Sequence, residues 1–584
     1  MAHTAEDIDE PTPPTLSERG LAALLPMLIA IASGTRNLAG TLQGDLVNPD
    51  SYMRMVRLEE TLRQHDIAYT VARDGSGSGT LLHWTHLIDL VLCALAAPLR
   101  PFLGAEASLD VVAAAFGPLC LAALGLALLW AVTPLAERRW RWLAPVVATL
   151  SAPIAAYGLP GVVHHHVPLL VVAVMTAGYA VRGALGFASG RAGLAMGAWA
   201  GVGIWLSPES MPFTLMALGG LWLAWALSGR HDLARMIQSA AAGFLLVVAA
   251  ALAADPPQAG HLAVEVDRLS VVYLGLASAF AIAALTVPRL STGIAVRLGV
   301  PVLCLAAWLA LFPAVASGPD GLMGAQETQA MFGGISEMMP VRDPGGVLAL
   351  LLTGGLTACV LAWWAGSRRS LLLAYAALCA CVLVGLGAVH MRFAAYPATA
   401  AAAMLPLLLT RCTAMLRTWP EAVQSTARVG LMALFALVPR AEGLPGLFSQ
   451  ARAAGMPTCD LASGAGLLRD HAGDVVLADP SASPELLYRT GVLTVGSLYH
   501  RNPAGFMRLR AAWRSPPGET IPDAVRATGA TLVLFCPAAG RSLLVADLPP
   551  DTLLDRLNRG QVPPWLHRLG EDPRSGNILY GVMQ

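Results

Sequence analysis

Apolar segments of bilayer-crossing length recur along most of this chain, and few folds tolerate that. A run of about 20 apolar residues spans the hydrocarbon core of a membrane, where the backbone must satisfy its own hydrogen bonds and so becomes a helix. Candidate spans run near residues 20–34, 108–133, 142–157, 167–183, 192–206, 210–228, 237–254, 268–287, 296–316, 345–365, 369–389, 393–410 and, weakly, 427–440. That is about thirteen helices, several of them short or interrupted by Gly and Pro. Charged residues make up 13% of the 584 positions, against roughly a quarter in soluble proteins, and mean hydropathy is +0.59. The 38 basic and 38 acidic residues cancel. No basic excess points to a nucleic-acid partner.

Orientation is read from arginine. The turn Glu137-Arg138-Arg139-Trp140-Arg141, the stretch holding Arg182 and Arg191, residues 228–235, Arg289 to Arg297, residues 366–370 and Arg411 to Arg417 all fall on one side when the N-terminus is counted from that side. The positive-inside rule makes it the cytoplasm. The acidic, Pro-rich residues 1–19 carry no basic region ahead of an apolar run, and read as a disordered cytoplasmic tail rather than a cleaved signal. Loops 35–107, 158–166, 207–209, 255–267, 317–344 and 390–392 then face outward, as does everything after about 441. The apolar stretch 87–103 is placed as an interfacial helix inside the long first loop, because a span there would turn the Arg-rich turns outward.

The tail changes character. Short apolar runs at 474–478, 492–496 and 531–536 alternate with helical patterns at 503–513 and 521–528, the signature of a small α/β domain on the external face. The expected organisation is a tail at 1–19, a membrane domain at 20–440 and an extracytoplasmic α/β domain at 441–584. Most cysteines lie in apolar runs and read as small core residues. Cys459 and Cys536, in the polar tail, leave a disulfide open.

Ionisable side chains gather in the outward loops. The first carries Asp50 in Asn48-Pro49-Asp50-Ser51-Tyr52-Met53-Arg54, and the second carries His164, His165 and His166. The third holds Ser207-Pro208-Glu209, the fifth Ser336-Glu337, and the sixth Arg392. Five loops bring acids, imidazoles and a guanidinium to one membrane boundary, as a site at the mouth of a helix bundle would require. Structural duties compete: Asp50 suits an N-cap for a helix starting at Ser51, the histidines suit a helix start, and Ser207-Pro208-Glu209 is an ordinary helix opening. Arg392, between two apolar runs, wants an anion.

In their order these motifs resemble the catalytic subunit of the oligosaccharyltransferases and its relatives among the GT-C glycosyltransferases. There an acidic residue precedes a helix in the first external loop, matched by Asp50. A Ser-x-Ser-Glu-x-x-Pro-like motif occupies the fifth loop, matched by Ser336, Glu337 and Pro340. An Arg ahead of a late helix contacts the lipid pyrophosphate, matched by Arg392 with Phe393 and Tyr396. The resemblance covers the chain to about residue 440. Two departures accompany it: His164, His165 and His166 stand where the family has acidic residues, and the Trp-Trp-Asp-Tyr-Gly acceptor motif is absent, with residues 477–484 and 498–502 in the corresponding region.

The resemblance implies a polytopic α-helical membrane protein of about thirteen GT-C-like spans. It also implies an inverting transferase of the cell envelope. A sugar or glycan would move from a polyprenyl-phosphate or polyprenyl-pyrophosphate donor to an external glycan, lipid or protein acceptor other than a sequon, at the outer face of a bacterial cytoplasmic membrane. Asp50, Glu337 and Glu209 would act on the acceptor or sugar, and Arg392 on the departing phosphate. Asp50, His164 and His166 are the candidate metal ligands, and imidazoles favour Mn²⁺ or Zn²⁺ over Mg²⁺. The alternative is no metal, with the imidazoles binding phosphate directly. Two other readings stay open: a flippase for lipid-linked glycans, and a catalytically dead family member.

Overall fold

The computed structural model describes residues 12–290, 293–333, 335–441, 459–537 and 549–583. The chain divides into two compact units. The first comprises Met1–Leu42, Trp84–Gly318 and Pro340–Leu447, and the second Gln43–His83, Pro319–Met339 and Phe448–Gln584.

The first unit is helical. Among the described residues, ten helices are long and apolar enough to cross a membrane. They are Leu16–Ser33, Ala105–Val132, His166–Ala184, Pro208–Ser228, His231–Ala254, Val271–Arg289, Ile294–Leu311, Pro344–Arg368, Leu371–Val389 and Met391–Met415. The other three expected segments are helical too, in less regular form. Residues 142–157 hold two pieces, Leu143–Leu150 and Ala152–Ala155, because Pro153 lacks the donor that would carry one helix into the next. Gly190–Leu206 has 17 residues, and Glu421–Ala441 has 21 but is less apolar. The stretch 87–103 contains the ten-residue helix Leu87–Ala96 and the four-residue Arg100–Leu103. At 1.5 Å per residue the former covers about 15 Å, half of a hydrocarbon core of about 30 Å.

Packing within this unit relies on small residues and on arginine. Helices Gly190–Leu206 and His231–Ala254 meet along Gly193, Gly197 and Gly243. A Cβ on Gly197 would stand 1.9 Å from the Ala240 carbonyl oxygen, so only glycine permits the approach. Bulkier side chains close the same core, among them Met236, Phe244, Tyr273 and Trp308. Several arginines of the basic turns are clamps. Arg182 donates to the Trp130 carbonyl at 2.6 Å and lies 4.3 Å from its ring centre, and buried Arg141 donates to the carbonyls of Ala136 and Thr12.

The second unit is α/β. A hairpin pairs β1 (Thr70–Val71) with β2 (Thr80–Leu81). Five further strands, β3 (Val475–Leu477), β4 (Leu493–Thr494), β5 (Leu532–Phe535), β6 (Leu566–Glu571) and β7 (Ile578–Val582), form a sheet in the order β4-β3-β5-β7-β6. The apolar runs of the tail supply the parallel centre, β4-β3-β5, and helices Ser483–Arg489 and Pro503–Trp513 connect it. Antiparallel β7 and β6 complete the sheet, and both escaped the sequence reading. In β6 the polar run His567-Arg568 and a bulge between Arg568 and Gly570 hide the alternation. Trp513, Phe506 and Tyr580 pack the sheet, and Cys459 is disulfide-bonded to Cys536.

Residues of the first and fifth loops belong to this unit. Buried Asp74 in the β1–β2 turn accepts the hydroxyls of Thr80 at 2.6 Å and Thr494 at 2.7 Å, and that of Ser497. Arg73 donates to the carbonyls of Thr490 and Leu487. Each tie satisfies a polar group that burial would otherwise leave costly.

Candidate active site

Three short turns of the helical unit bring their functional side chains together. The first ends in His164, His165 and His166, where helix His166–Ala184 begins. The preceding turn passes through Gly161 at φ 83°, a left-handed conformation that glycine adopts without strain. His165 occupies the cap position, yet its side chain makes no capping bond. Their rings stack instead: centroids of His164 and His165 are 4.3 Å apart, those of His164 and His166 4.3 Å, and Tyr157 lies 4.1 Å from His166.

Glu209 sits in the second turn, Pro208–Ser210. Ser207 caps that turn by accepting from the Glu209 N–H, so the opening has its expected structural role as well. Arg392 occupies the third turn, Met391–Ala394, ahead of helix Ala395–Met415. The guanidinium meets the carboxylate at 2.9 Å, and the other Glu209 oxygen lies 3.7 Å from His165 Nε2. Phe213 stacks on Tyr396 with centroids 3.5 Å apart, closing one flank. Among the described residues, His166 Nε2, Ser210 Oγ and Tyr396 Oη are buried without a hydrogen-bond partner. Buried polar atoms of native proteins are ordinarily partnered, and these groups have hydrogen-bonding capacity to offer a polar ligand.

A second cluster holds the Glu209 turn from below. Asp255 accepts from Trp205 Nε1 at 3.0 Å, from the His86 N–H at 2.7 Å, and from Arg268 at 2.6 Å, while His86 Nδ1 lies 2.8 Å from it. Thr85 donates to the Trp205 carbonyl at 2.6 Å. Burial alone would raise the Asp255 pKa; the bond and charge of His86, the charge of Arg268 and the bond from Trp205 outweigh it and leave the carboxyl below its usual range. Sequence reasoning gave no role to Thr85, His86, Asp255 or Arg268. Asp255 directly follows one helix and Arg268 stands three residues ahead of the next, so a loop separates the pair in sequence and only the fold brings the two together.

The remaining candidates, Asp50 and Glu337, lie in the other unit. Asp50 is in the first turn of helix Pro49–Gln64, but Asn48 is the cap, accepting from the Ser51 N–H at 2.8 Å. The N-cap expectation therefore falls on the wrong residue: Pro49 takes the first helical position, and Asp50 keeps its carboxylate for Tyr499, whose hydroxyl donates to it at 2.9 Å. Glu337 is half-buried in the turn Ser336–Met338.

For a metal, the three histidines supply ligand atoms all within 4.8 Å of one another. The donor set is nitrogen-rich with one carboxylate, Glu209, beside it. It fits a borderline cation such as Zn²⁺ better than Mg²⁺, which asks for oxygen ligands in an octahedron.

No family model matches the sequence, and no curated protein matches it at the level of sequence. Solved structures do. The archaeal oligosaccharyltransferase AglB from Archaeoglobus fulgidus, in complex with an inhibitory peptide and a dolichol-phosphate, superposes with a TM-score of 0.69 at 14% identity over 97% of this chain and 74% of that one. This chain has the oligosaccharyltransferase fold. The A. fulgidus enzyme in complex with Zn and sulfate gives a TM-score of 0.66 at 13% identity, covering 96% and 73%. The form tethered to an acceptor peptide containing the NVT sequon gives 0.65 at 14% identity, covering 98% and 74%. At 13–14% identity the likeness is one of fold, and it spans nearly the whole of this chain.

Proposed function

We propose that this chain is a membrane glycosyltransferase that moves a sugar or glycan from a polyprenyl-phosphate or polyprenyl-pyrophosphate donor to an acceptor outside the cytoplasm. The observation that carries the reading is the meeting of Arg392, Glu209 and the three histidines on a fold shared with an enzyme solved with dolichol-phosphate. The chemistry follows from charge. As the glycosidic bond to phosphate breaks, negative charge develops on the departing oxygen, and a guanidinium already fixed at the site stabilises it without reorganising. His166 Nε2 and Tyr396 Oη offer further polar contacts to the donor. Asp50 and Glu337, on the second unit, are assigned to orienting or deprotonating the acceptor. Glu209 is assigned first to fixing Arg392, and then to the sugar hydroxyls.

A divalent cation on His164, His165 and His166, beside Glu209, would supply Lewis acidity toward the donor phosphate. The missing acceptor motif argues for an acceptor other than a sequon. The Arg-rich turns support a cytoplasmic N-terminus, and the domain at 441–584 would then face outward.

Purified protein treated with EDTA and supplied with the host's lipid-linked glycans tests both readings of the histidines. Loss of donor consumption restored by Zn²⁺ or Mn²⁺ but not Mg²⁺ supports the metal. Full consumption after chelation, abolished by Arg392→Ala, supports a phosphate clamp without metal. No consumption under any of these conditions overturns the function.

A further inference from the structure

Loop 255–267 holds a fixed shape and carries an apolar tip to which the transfer reading gives no role. It connects helix His231–Ala254 to helix Val271–Arg289. Its base is cinched, because buried Arg268 donates to buried Asp255 at 2.6 Å across 13 residues of chain. The returning leg is fixed twice more. The Ser270 hydroxyl donates to the Glu265 carbonyl at 2.5 Å, and the Tyr273 hydroxyl donates to the Val266 carbonyl. Two turns shape the tip: the Gly260 N–H donates to the Pro257 carbonyl at 2.9 Å, and the Ala263 N–H to the Gly260 carbonyl at 3.1 Å. Gly260 takes φ 100°, which a side chain would resist.

What this frame displays is apolar. Residues 256–264 contain no Asp, Glu, Lys or Arg, and Gln258 and His261 are their polar side chains. Leu262 is 84% exposed and Val264 60%, while Val266, the next alternate residue, is buried. A single exposed leucine on a protein surface needs no explanation. Two neighbouring apolar side chains on an uncharged loop do, when three side-chain bonds hold the loop that carries them away from the core.

The surroundings decide between occupants. On helix His231–Ala254 the exposed residues Leu246, Ala250 and Ala253 form an apolar stripe that leads up to the loop. Asp255 also accepts from the His86 N–H, directly ahead of helix Leu87–Ala96. That helix is too short to cross a bilayer, and its outward residues are Leu90, Val91, Ala94 and Leu95. The loop therefore continues one lipid-facing surface and shares its base with another. We propose that the tip of loop 255–267 is an interfacial anchor, with Leu262 and Val264 inserted between headgroups and acyl chains at the end of the bundle that holds the Glu209 turn. Apolar side chains settle about 5–10 Å into that boundary, and an uncharged tip enters it without stripping water from an ion. The anchor does not depend on the transfer reading.

The test places the photoreactive residue p-benzoylphenylalanine at position 262, 264 or 246, one per variant, in the full-length protein. Each variant is reconstituted into liposomes of phosphatidylethanolamine and phosphatidylglycerol in equal parts and irradiated, and the peptide carrying the probe is read by mass spectrometry. Position 246, midway along a span, is the positive control. The expected result is a mass increase of one phospholipid at 262 and at 264, as at 246. An adduct at either tip position upholds the anchor, since a bulky probe at one of them can turn aside. No lipid adduct at both, with the control labelled, overturns it. So does cross-linking of the tip to a second copy of the chain, which would make this face a protein contact. A charge beside the probe separates insertion from chance collision. Ala263→Asp should lower the adduct at 262 several-fold, and an unchanged yield overturns the proposal.

Discussion

Single side chains carry the sharpest consequences. Arg392 is the cation at the candidate site whose anionic partner, Glu209, is within 2.9 Å. Arg392→Ala should lower kcat by about 10²–10³-fold, the cost of removing one preorganised donor to a developing anion. Arg392→Lys should recover only part, because an ammonium lacks the planar fork. Donor consumption by the two variants checks this. Asp255 makes a prediction about pH. Its carboxyl lies below the usual value in the folded chain, so its contribution is complete above the unfolded value near 3.8 and is lost as pH falls through the folded one. The thermal midpoint of wild type should therefore drop between pH 5 and about 3 more steeply than that of Asp255→Asn. Parallel curves would remove Asp255 as the source. Of these residues, Arg392 was legible because a lone Arg between apolar runs has few structural excuses. Asp255 and Arg268 were not, since a pair separated by a loop is recognised only once the helix ends are adjacent.

At the level of elements, periodicity and length did most of the work. Segments with a continuous apolar run became helices within a few residues of their expected limits, and the three parallel strands of the sheet were legible from their Val- and Leu-rich runs. What escaped has a physical cause in each case. Pro153 divides one segment, Asn48 outcompetes Asp50 for the cap, and β6 and β7 lack the alternation that marks a half-buried strand. The tight helix pair built on Gly193, Gly197 and Gly243 yields a stability prediction. Gly197→Leu forces a side chain onto the Ala240 carbonyl, and should cost at least about 1–3 kcal/mol or abolish folded yield. Gly299→Leu, at a glycine with open space around it, should be close to neutral. Fluorescence-detected size-exclusion melting of both variants tests the pair.

For the whole molecule, the fold class was legible because a bilayer leaves so few alternatives, and the order of motifs already resembled the family whose fold the chain has. The division into two units was less legible. The first loop joins the C-terminal sheet through side-chain bonds such as that of Asp74 to Thr494, the fifth shares the same compact unit, and no local pattern announces either. Sidedness remains a proposal with a direct check. Single cysteines at Arg139 and Arg368 should resist an impermeant maleimide in intact cells, and those at Gly75 and His500 should react once unfolding is allowed. Labelling at Arg139 from outside would invert the arrangement. The central claim is that the chain consumes a lipid-linked glycan outside the cytoplasm. Deleting its gene in the host and comparing lipid-linked and surface glycans by mass spectrometry tests it most directly. The account predicts that a lipid-linked species accumulates on the outer face while one surface glycan disappears. Accumulation on the cytoplasmic face, or unchanged pools of both, would contradict it.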